Sequence, residues 1–112
     1  MSNNNHIVLD SLPAPWHWDE IDLTNQLKKE MPSGHVLATK KLKSIARRQD
    51  NDDALFEIDS EDYKYVVIHL TWSQKRLIDI KYPSAELYKD WDDVYANRIL
   101  KDKESWDELE KE

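Results

Sequence analysis

The spacing of hydrophobic and polar residues predicts one helix near the start of the chain and another near its end. The first helix, over 20–31, has apolar residues at partly helical spacing, namely Ile21, Leu23, Leu27 and Met31. Asp19 is its expected N-cap, and a Pro-Ser-Gly sequence ends it. The second helix, over 90–100, begins at the expected N-cap Asp90 and has a clearer stripe, made of Trp91, Val94, Tyr95 and Ile99.

Between these helices, short apolar segments separated by clusters of Asp, Asn and Ser predict an antiparallel meander. The predicted strands are 42–49, 54–58, 63–72 and an edge strand at 85–88. Alternate residues of the longest strand form an apolar face, Val66, Ile68, Leu70 and Trp72, and a semi-polar, aromatic face that includes Tyr63, Tyr65 and His69. We expect both helices to pack on the apolar face, with Trp72 and Trp91 as core neighbours.

The predicted fold class is therefore α+β, an antiparallel β-meander of three to five strands with a helix before it and a helix after it. A length of 112 residues fits one domain. The polar, Asn-rich residues 1–10 are expected to be disordered, and 11–112 to form the single α+β domain. Pro13 and Pro15 hold an extended segment that leads into Trp16.

The composition excludes several kinds of chemistry. The chain has no cysteine, which excludes disulfides and thiolate zinc sites and fits a reducing cytoplasm. Its single glycine, Gly34, leaves no glycine-rich phosphate loop. No histidine pair has a metal-ligand spacing, and Leu55 stands where a calcium loop starting at Asp50 requires glycine. We therefore predict neither a metal nor a cofactor, and the lack of a long apolar run predicts no membrane partner and no secretory signal.

The charge of the chain points to a class of partner. Lys and Arg number 16 against 23 Asp and Glu, a net charge of −7. This balance disfavours nucleic acid, which requires phosphate neutralisation, and suits a basic protein. Five tryptophans can form a Trp-rich core or serve as exposed anchors for a partner. Two of the candidate partner-binding residues are tryptophans in the Pro-rich segment, which resists burial in a regular element. The other three are acids of a turn. The full set is Trp16, Trp18, Asp50, Asp52 and Asp53.

These features favour a non-enzymatic protein-interaction module, in its concrete form an immunity- or antitoxin-like inhibitor of a basic partner. The alternative is a small-ligand site on the aromatic sheet face, with the candidate residues Tyr63, Tyr65, His69 and Trp72. His69 is also the candidate general base, and catalysis would require it to contact a carboxylate or hydroxyl inside a cleft. No nucleophile motif accompanies it, so no catalytic residue is assigned.

Several short segments within 35–91 together resemble a widespread group of small bacterial proteins. They are Ile45-Ala-Arg-Arg48, the turn 50–53 leading into Leu55-Phe56, Val66-Val-Ile-His-Leu-Thr-Trp-Ser73, and the helix start at Trp91. No activity is established for that group. The resemblance therefore implies a compact bacterial domain and assigns no functional residue.

Overall fold

A computed structural model of the chain describes residues 11–18 and 22–110, which form a five-stranded antiparallel sheet and flanking helices. The strands lie in the sheet in chain order: β1 (Trp16–Trp18), β2 (Leu42–Arg48), β3 (Asp53–Ile58), β4 (Tyr65–His69) and β5 (Ala85–Tyr88). Helix α1 (Thr24–Glu30) precedes β2, and the C-terminal helix consists of α2 (Trp91–Val94), a π-helical turn (Tyr95–Ile99) and α3 (Leu100–Glu110). The predicted α+β class and the meander with its two flanking helices are confirmed, and β1 is an additional strand.

The start of the C-terminal helix follows from its sequence. The side chain of Asp90 accepts a hydrogen bond from the backbone N–H of Asp93 at 2.8 Å, as the predicted N-cap should. The helix extends ten residues beyond its predicted end, because 101–110 contains good helix formers and no glycine or proline. For α1, the expected cap Asp19 lies outside the described residues, and Asp22 accepts from the backbone N–H of Thr24 at 2.9 Å.

The sheet buries apolar side chains on both faces. On one face α1 covers a cluster that includes Leu27, Phe56, Val66 and Ile68. On the other face the C-terminal helix covers a cluster that includes Trp16, Leu55, Tyr65, Val67, Trp91 and Ile99. The expectation that both helices pack on the Val66 face is therefore wrong. The second face of β4 carries Tyr65 and Val67, and their burial stabilises a helix there.

Trp72 does not extend the core. Strand β4 ends at His69, and Trp72 has a positive φ of 60° and a side chain that is 38% exposed. Trp91, by contrast, is buried in the second cluster and stacks on Trp18, with ring centroids 6.1 Å apart. The predicted Trp72–Trp91 contact is therefore wrong, because the backbone leaves the strand direction before Trp72.

A buried carboxylate explains where the backbone turns. Glu30, at the end of α1, is fully buried, and Oε1 accepts hydrogen bonds from the N–H and hydroxyl of Thr71 at 2.8 and 2.7 Å. Its Oε2 accepts from the N–H of Trp72 at 3.1 Å and from Nε2 of Gln26 at 2.8 Å. Four donors thus satisfy a charge that would be costly to bury alone. They hold the chain beyond β4 against α1.

A buried imidazole holds the far end of the same loop. Nε2 of His35 donates to the carbonyl of Pro83 at 2.7 Å, and Nδ1 accepts from the backbone N–H of Leu37 at 3.0 Å. These two bonds specify a neutral imidazole with its proton on Nε2. The loop 71–84 is therefore fixed at both ends.

Within the described ranges, no helix is long and apolar enough to cross a membrane.

Candidate functional site

The first polar cluster lies where β3 begins and β4 ends. Asp53 and His69 are paired across these strands, and Nδ1 of His69 donates to Oδ1 of Asp53 at 2.8 Å. The Asp53 side chain is 12% exposed, whereas that of His69 is 53% exposed. A largely buried carboxylate therefore orients a half-exposed imidazole through its Nδ1. This arrangement resembles the base and orienting group of many proton-transfer sites.

The second oxygen of Asp53 binds Arg98, which the π-helical turn carries to the sheet. The Arg98 guanidinium also contacts Glu86 of β5, and its Nε donates to Asp102 at 2.8 Å. Burial lowers the pKa of Arg98, but the carboxylates of Asp102, Asp53 and Glu86 outweigh it and hold the pKa above its usual value. Arg98 is therefore a permanent cation that joins the C-terminal helix to β3 and β5.

Asp102 extends this cluster to β1 and β2. Its Oδ2 accepts from Nε1 of Trp16 at 2.8 Å and lies 3.3 Å from Arg48. Arg48 in turn donates twice to Asp50, at 2.8 and 2.7 Å, which lowers the pKa of Asp50. We call these residues the arginine cluster: Trp16, Arg48, Asp50, Asp53, Glu86, Arg98 and Asp102. Its two arginines face four carboxylates, a formal net charge of −2, and each arginine contacts at least two of them. The cluster therefore joins the elements of the fold.

An open depression of about 520 Å³ lies beside this cluster. Its walls come from β5 and the C-terminal helix and include Glu86, Arg98 and Lys101. A second depression, of about 330 Å³, lies over β2 and β3 and is lined by Lys41, Lys43 and Glu57, among others. The Asp53–His69 pair makes the contact required of a catalytic base. His69 lines neither of these two depressions, so neither of them supplies the cleft that catalysis would need.

A separate aromatic stack lies at the start of the C-terminal helix. Trp18, half-buried at the end of β1, stacks on Trp91 with an interplanar angle of 20°. Tyr65 and Tyr95 contact the same indole, with centroid distances of 5.6 and 5.7 Å. Aromatic pairs at these distances are stabilising beyond the area they bury. The stack therefore presents a half-exposed tryptophan on a rigid base.

Carboxylates converge on this stack. Burial, together with the negative charges of Glu57 and Asp90, raises the pKa of Tyr65 to about 12. Asp90 and Asp92 flank Trp91 in the sequence and are exposed, and Glu57 lies opposite Tyr65 in the sheet. The turn at 59–62 follows on from β3 and holds three more exposed acids. We call this region the acidic–aromatic surface: Trp18, Glu57, Asp90, Asp92 and the turn 59–62.

The structure distributes the predicted ligand residues over different surroundings. Tyr65 is 4% exposed beneath the C-terminal helix, whereas Tyr63 is 36% exposed. The indole of Trp72 donates to Asp52 at 3.0 Å and lies under the guanidinium of Arg47, 5.6 Å from its ring centroid. His69 binds Asp53, as described above. Of the four candidates, therefore, only Tyr65 is covered by the C-terminal helix.

The predicted partner-binding residues also divide. Of the two tryptophans offered as the exposed anchor, Trp16 is 1% exposed and bonded to Asp102, whereas Trp18 is half-buried at the surface. Asp53 is a buried member of the arginine cluster, whereas Asp50 and Asp52 are exposed. Sequence reasoning missed Arg98, Asp102 and Glu86. The spacing of Arg98 and Asp102, four residues apart on a helix, was the one local signal for them.

Neither a metal site nor a similar protein assigns a role to these residues. Within 11–18 and 22–110, no group of three His, Cys, Asp or Glu side chains is arranged to hold a metal ion. Comparison of the chain with protein-family models, curated proteins and solved structures gives no match. The argument for function therefore rests on geometry and charge.

Proposed function

We propose that this protein is a non-enzymatic interaction module that binds a basic protein partner through the acidic–aromatic surface. In its concrete form it is an immunity- or antitoxin-like inhibitor that covers a cationic site on an enzyme. The observation that carries the proposal is the half-exposed Trp18, stacked on Trp91 and bordered by Asp90 and Asp92. Tryptophan is enriched at interface hot spots, and charge complementarity at the rim selects the partner. Lys43 lies opposite Glu57 and Lys64 donates to the carbonyl of Ser60, so Asp90 and Asp92 carry the charge argument.

The distribution of charge supports the same surface. Residues 44–70 and 84–110, which include every acid of the acidic–aromatic surface, contain sixteen acidic and seven basic residues, a net charge of −9. The arginine cluster accounts for two of these cations and four of these acids, so the remaining residues of the two ranges carry a net charge of −7. Such a field accelerates association with a cation-rich protein and weakens as salt is added.

The test is capture of a partner by the tagged protein from its native host at low and at high salt. We expect one stoichiometric basic protein, lost at high salt, whose own enzymatic activity falls when the purified chain is added. Asp92→Lys should weaken this capture by about tenfold or more, since it places a like charge against the partner. The matched control is Glu104→Lys, the same charge change at an exposed position about 18 Å further along the helix.

Equal loss of the partner in both variants would show that only net charge matters and would contradict the proposed surface. Capture that survives high salt and the Asp92 substitution would contradict a charge-driven interaction. The Asp53→Lys substitution is unsuitable here, because Asp53 is buried against Arg98 and its reversal would unfold the cluster.

A small-ligand or proton-transfer site at His69 is the second candidate, and the contact between His69 and Asp53 is what favours it. A fragment library should then perturb the imidazole resonances of His69 in the intact protein, with loss of the effect in Asp53→Asn. An imidazole that is unperturbed by the whole library would refute this candidate.

A further inference from the structure

The loop between β4 and β5 exposes aliphatic and aromatic side chains that the fold does not use. Ile78 is 95% exposed, Ile80 58% and Tyr82 50%. Val36, in the preceding loop, is 69% exposed, and Ile80 lies so close to Gly34 that a Cβ there would be 2.9 Å from its Cγ2. The two loops thus meet at Ile80 and Gly34, and together they carry four exposed apolar side chains of a kind that marks interaction sites.

This region is fixed to the body of the protein. The backbone N–H of Leu77 donates to the carbonyl of Glu30 at 2.8 Å, and Arg76 donates to the carbonyl of Met31 at 2.7 Å. Nε2 of Gln26 donates to the carbonyl of Ser73 at 3.0 Å. Because these bonds hold the loop against α1, a partner that binds it loses little loop entropy.

The charge around this loop is opposite to that of the rest of the protein. Residues 22–43 and 71–83 contain eight basic and three acidic residues, a net charge of +5, and one of the acids, Glu30, is buried. Lys75, Arg76 and Lys81 are exposed within the loop itself. We call the apolar residues and these cations the loop face: Val36, Ile78, Ile80, Tyr82, Lys75, Arg76 and Lys81.

The loop face and the acidic–aromatic surface cannot meet within one molecule. The loop is bonded to α1, which covers one side of the sheet, whereas Trp18 and Trp91 belong to the cluster on the other side. A contact between the two surfaces therefore requires a second molecule.

We propose that the protein self-associates head to tail, the loop face of one copy docking on the acidic–aromatic surface of the next. Lysines and an arginine of the loop face meet Asp90, Asp92 and the turn 59–62, and Ile78 packs near the half-exposed Trp18. A contact between two loop faces would place like charges together, which disfavours a symmetric dimer. In a head-to-tail pair, one copy keeps a free loop face and the other keeps a free acidic–aromatic surface. Further copies can therefore add to the pair.

The proposed self-association rests on the proposed function, because both use the acidic–aromatic surface. A second copy of the chain therefore competes with the basic partner for that surface. A second copy occupies the surface until a basic partner displaces it. Self-association should therefore weaken with salt, as partner binding does.

The test is sedimentation velocity of the full chain over a wide range of concentration, at low and high salt. The wild type should sediment faster as concentration rises, and high salt should reverse this. Ile78→Asp and Asp92→Lys should each weaken self-association by about tenfold to a hundredfold, the range expected for one buried aliphatic side chain or one close charge reversal. Leu109→Asp, which alters a 69% exposed leucine of α3, is the matched control and should behave as wild type.

Mixing the two variants gives the decisive measurement. Ile78→Asp keeps a working acidic–aromatic surface and Asp92→Lys keeps a working loop face, so the mixture should form a dimer that contains one copy of each and grows no further. A wild type that is monomeric throughout would overturn the proposal and leave the loop face to another partner. Self-association of Asp92→Lys alone would overturn it in favour of a symmetric contact.

These outcomes are distinct from failure of the proposed function. Ile78→Asp leaves the acidic–aromatic surface intact and should capture the basic partner at least as well as wild type. If it captures none while the mixture still forms the dimer, the self-association stands and the proposed function falls.

Discussion

Replacing Glu30 by Gln tests how the loop after β4 is held. The carboxylate accepts four hydrogen bonds, two on each oxygen, and is fully buried. A glutamine can keep its carbonyl towards Thr71, but its NH₂ group then faces the N–H of Trp72 and the amide of Gln26. Gln26 can turn its own carbonyl inward only by giving up the bond to Ser73.

The substitution thus leaves the backbone N–H of Trp72 without an acceptor. It also weakens the two bonds from Thr71, because their acceptor is no longer charged. An unsatisfied buried donor costs about 1–3 kcal/mol, and a hydrogen bond to a charged group contributes about 1.5–3 kcal/mol. We expect the free energy of unfolding to fall by about 2–4 kcal/mol in Glu30→Gln. For a chain of this size that lowers the melting temperature by roughly 4 °C per kcal/mol.

Urea denaturation at neutral pH, followed by tryptophan fluorescence, measures this loss. Glu61→Gln makes the same chemical change at an exposed residue and should stay within about 0.5 kcal/mol of wild type. Thr71→Val removes the hydroxyl's bond to Glu30 and its weaker bond from the N–H of Ser73 but keeps the carboxylate and its other three donors, so it should cost less than Glu30→Gln. A Glu30→Gln protein as stable as Glu61→Gln would refute the argument that this carboxylate holds the loop.

Three further predictions concern the second core cluster and its polar border. The pKa of Tyr65 is raised from 10.0 to about 12, so the neutral phenol stabilises the fold, and this contribution is complete below pH 10. Between pH 10 and pH 12 the free energy of unfolding should fall by about 1.4 kcal/mol per pH unit. Alkaline unfolding titrations of Tyr65→Phe should show a smaller fall with pH than wild type. Trp16→Phe keeps an aromatic side chain but removes the indole N–H that binds Asp102 together with part of the buried ring system, so chemical denaturation should show a loss of at least about 1–3 kcal/mol, and an unchanged midpoint would contradict a role for that bond. Arg98→Met leaves its carboxylates without their cation and should cost about 3 kcal/mol by the same assay, whereas a gain in stability would mean that desolvation outweighs the ion pairs.

Local signals in the sequence predicted most of the architecture. The cap at Asp90 and the stripe that follows it act within one helical turn, and the Asp-rich turns separate strands that pair with their neighbours in the chain. The alternation in β4 was also clear, but a strand with two apolar faces can be covered on either side. The position of the C-terminal helix depends on how Tyr65 and Val67 pack, which a local pattern does not specify.

The parts that the sequence did not predict depend on distant partners. Trp72 leaves the core because Glu30, 42 residues earlier, binds its backbone N–H. Trp16 is buried despite its proline-rich surroundings because Asp102, 86 residues later, accepts its indole N–H. His69 was predicted to lie on the semi-polar face of the long strand, but its orientation by Asp53 comes from the strand register, which the sequence alone left open.

The two outer strands of the sheet limit how copies of this protein can join. β1 has three residues and β5 has four, so each edge presents few unpaired backbone groups. Proteins that keep their edge strands this short resist growth of the sheet from molecule to molecule, which is the route to fibrous aggregates. Contacts between copies, or with other proteins, must then be made by side chains. Evolution can therefore change the partners of this fold one residue at a time without rebuilding its backbone.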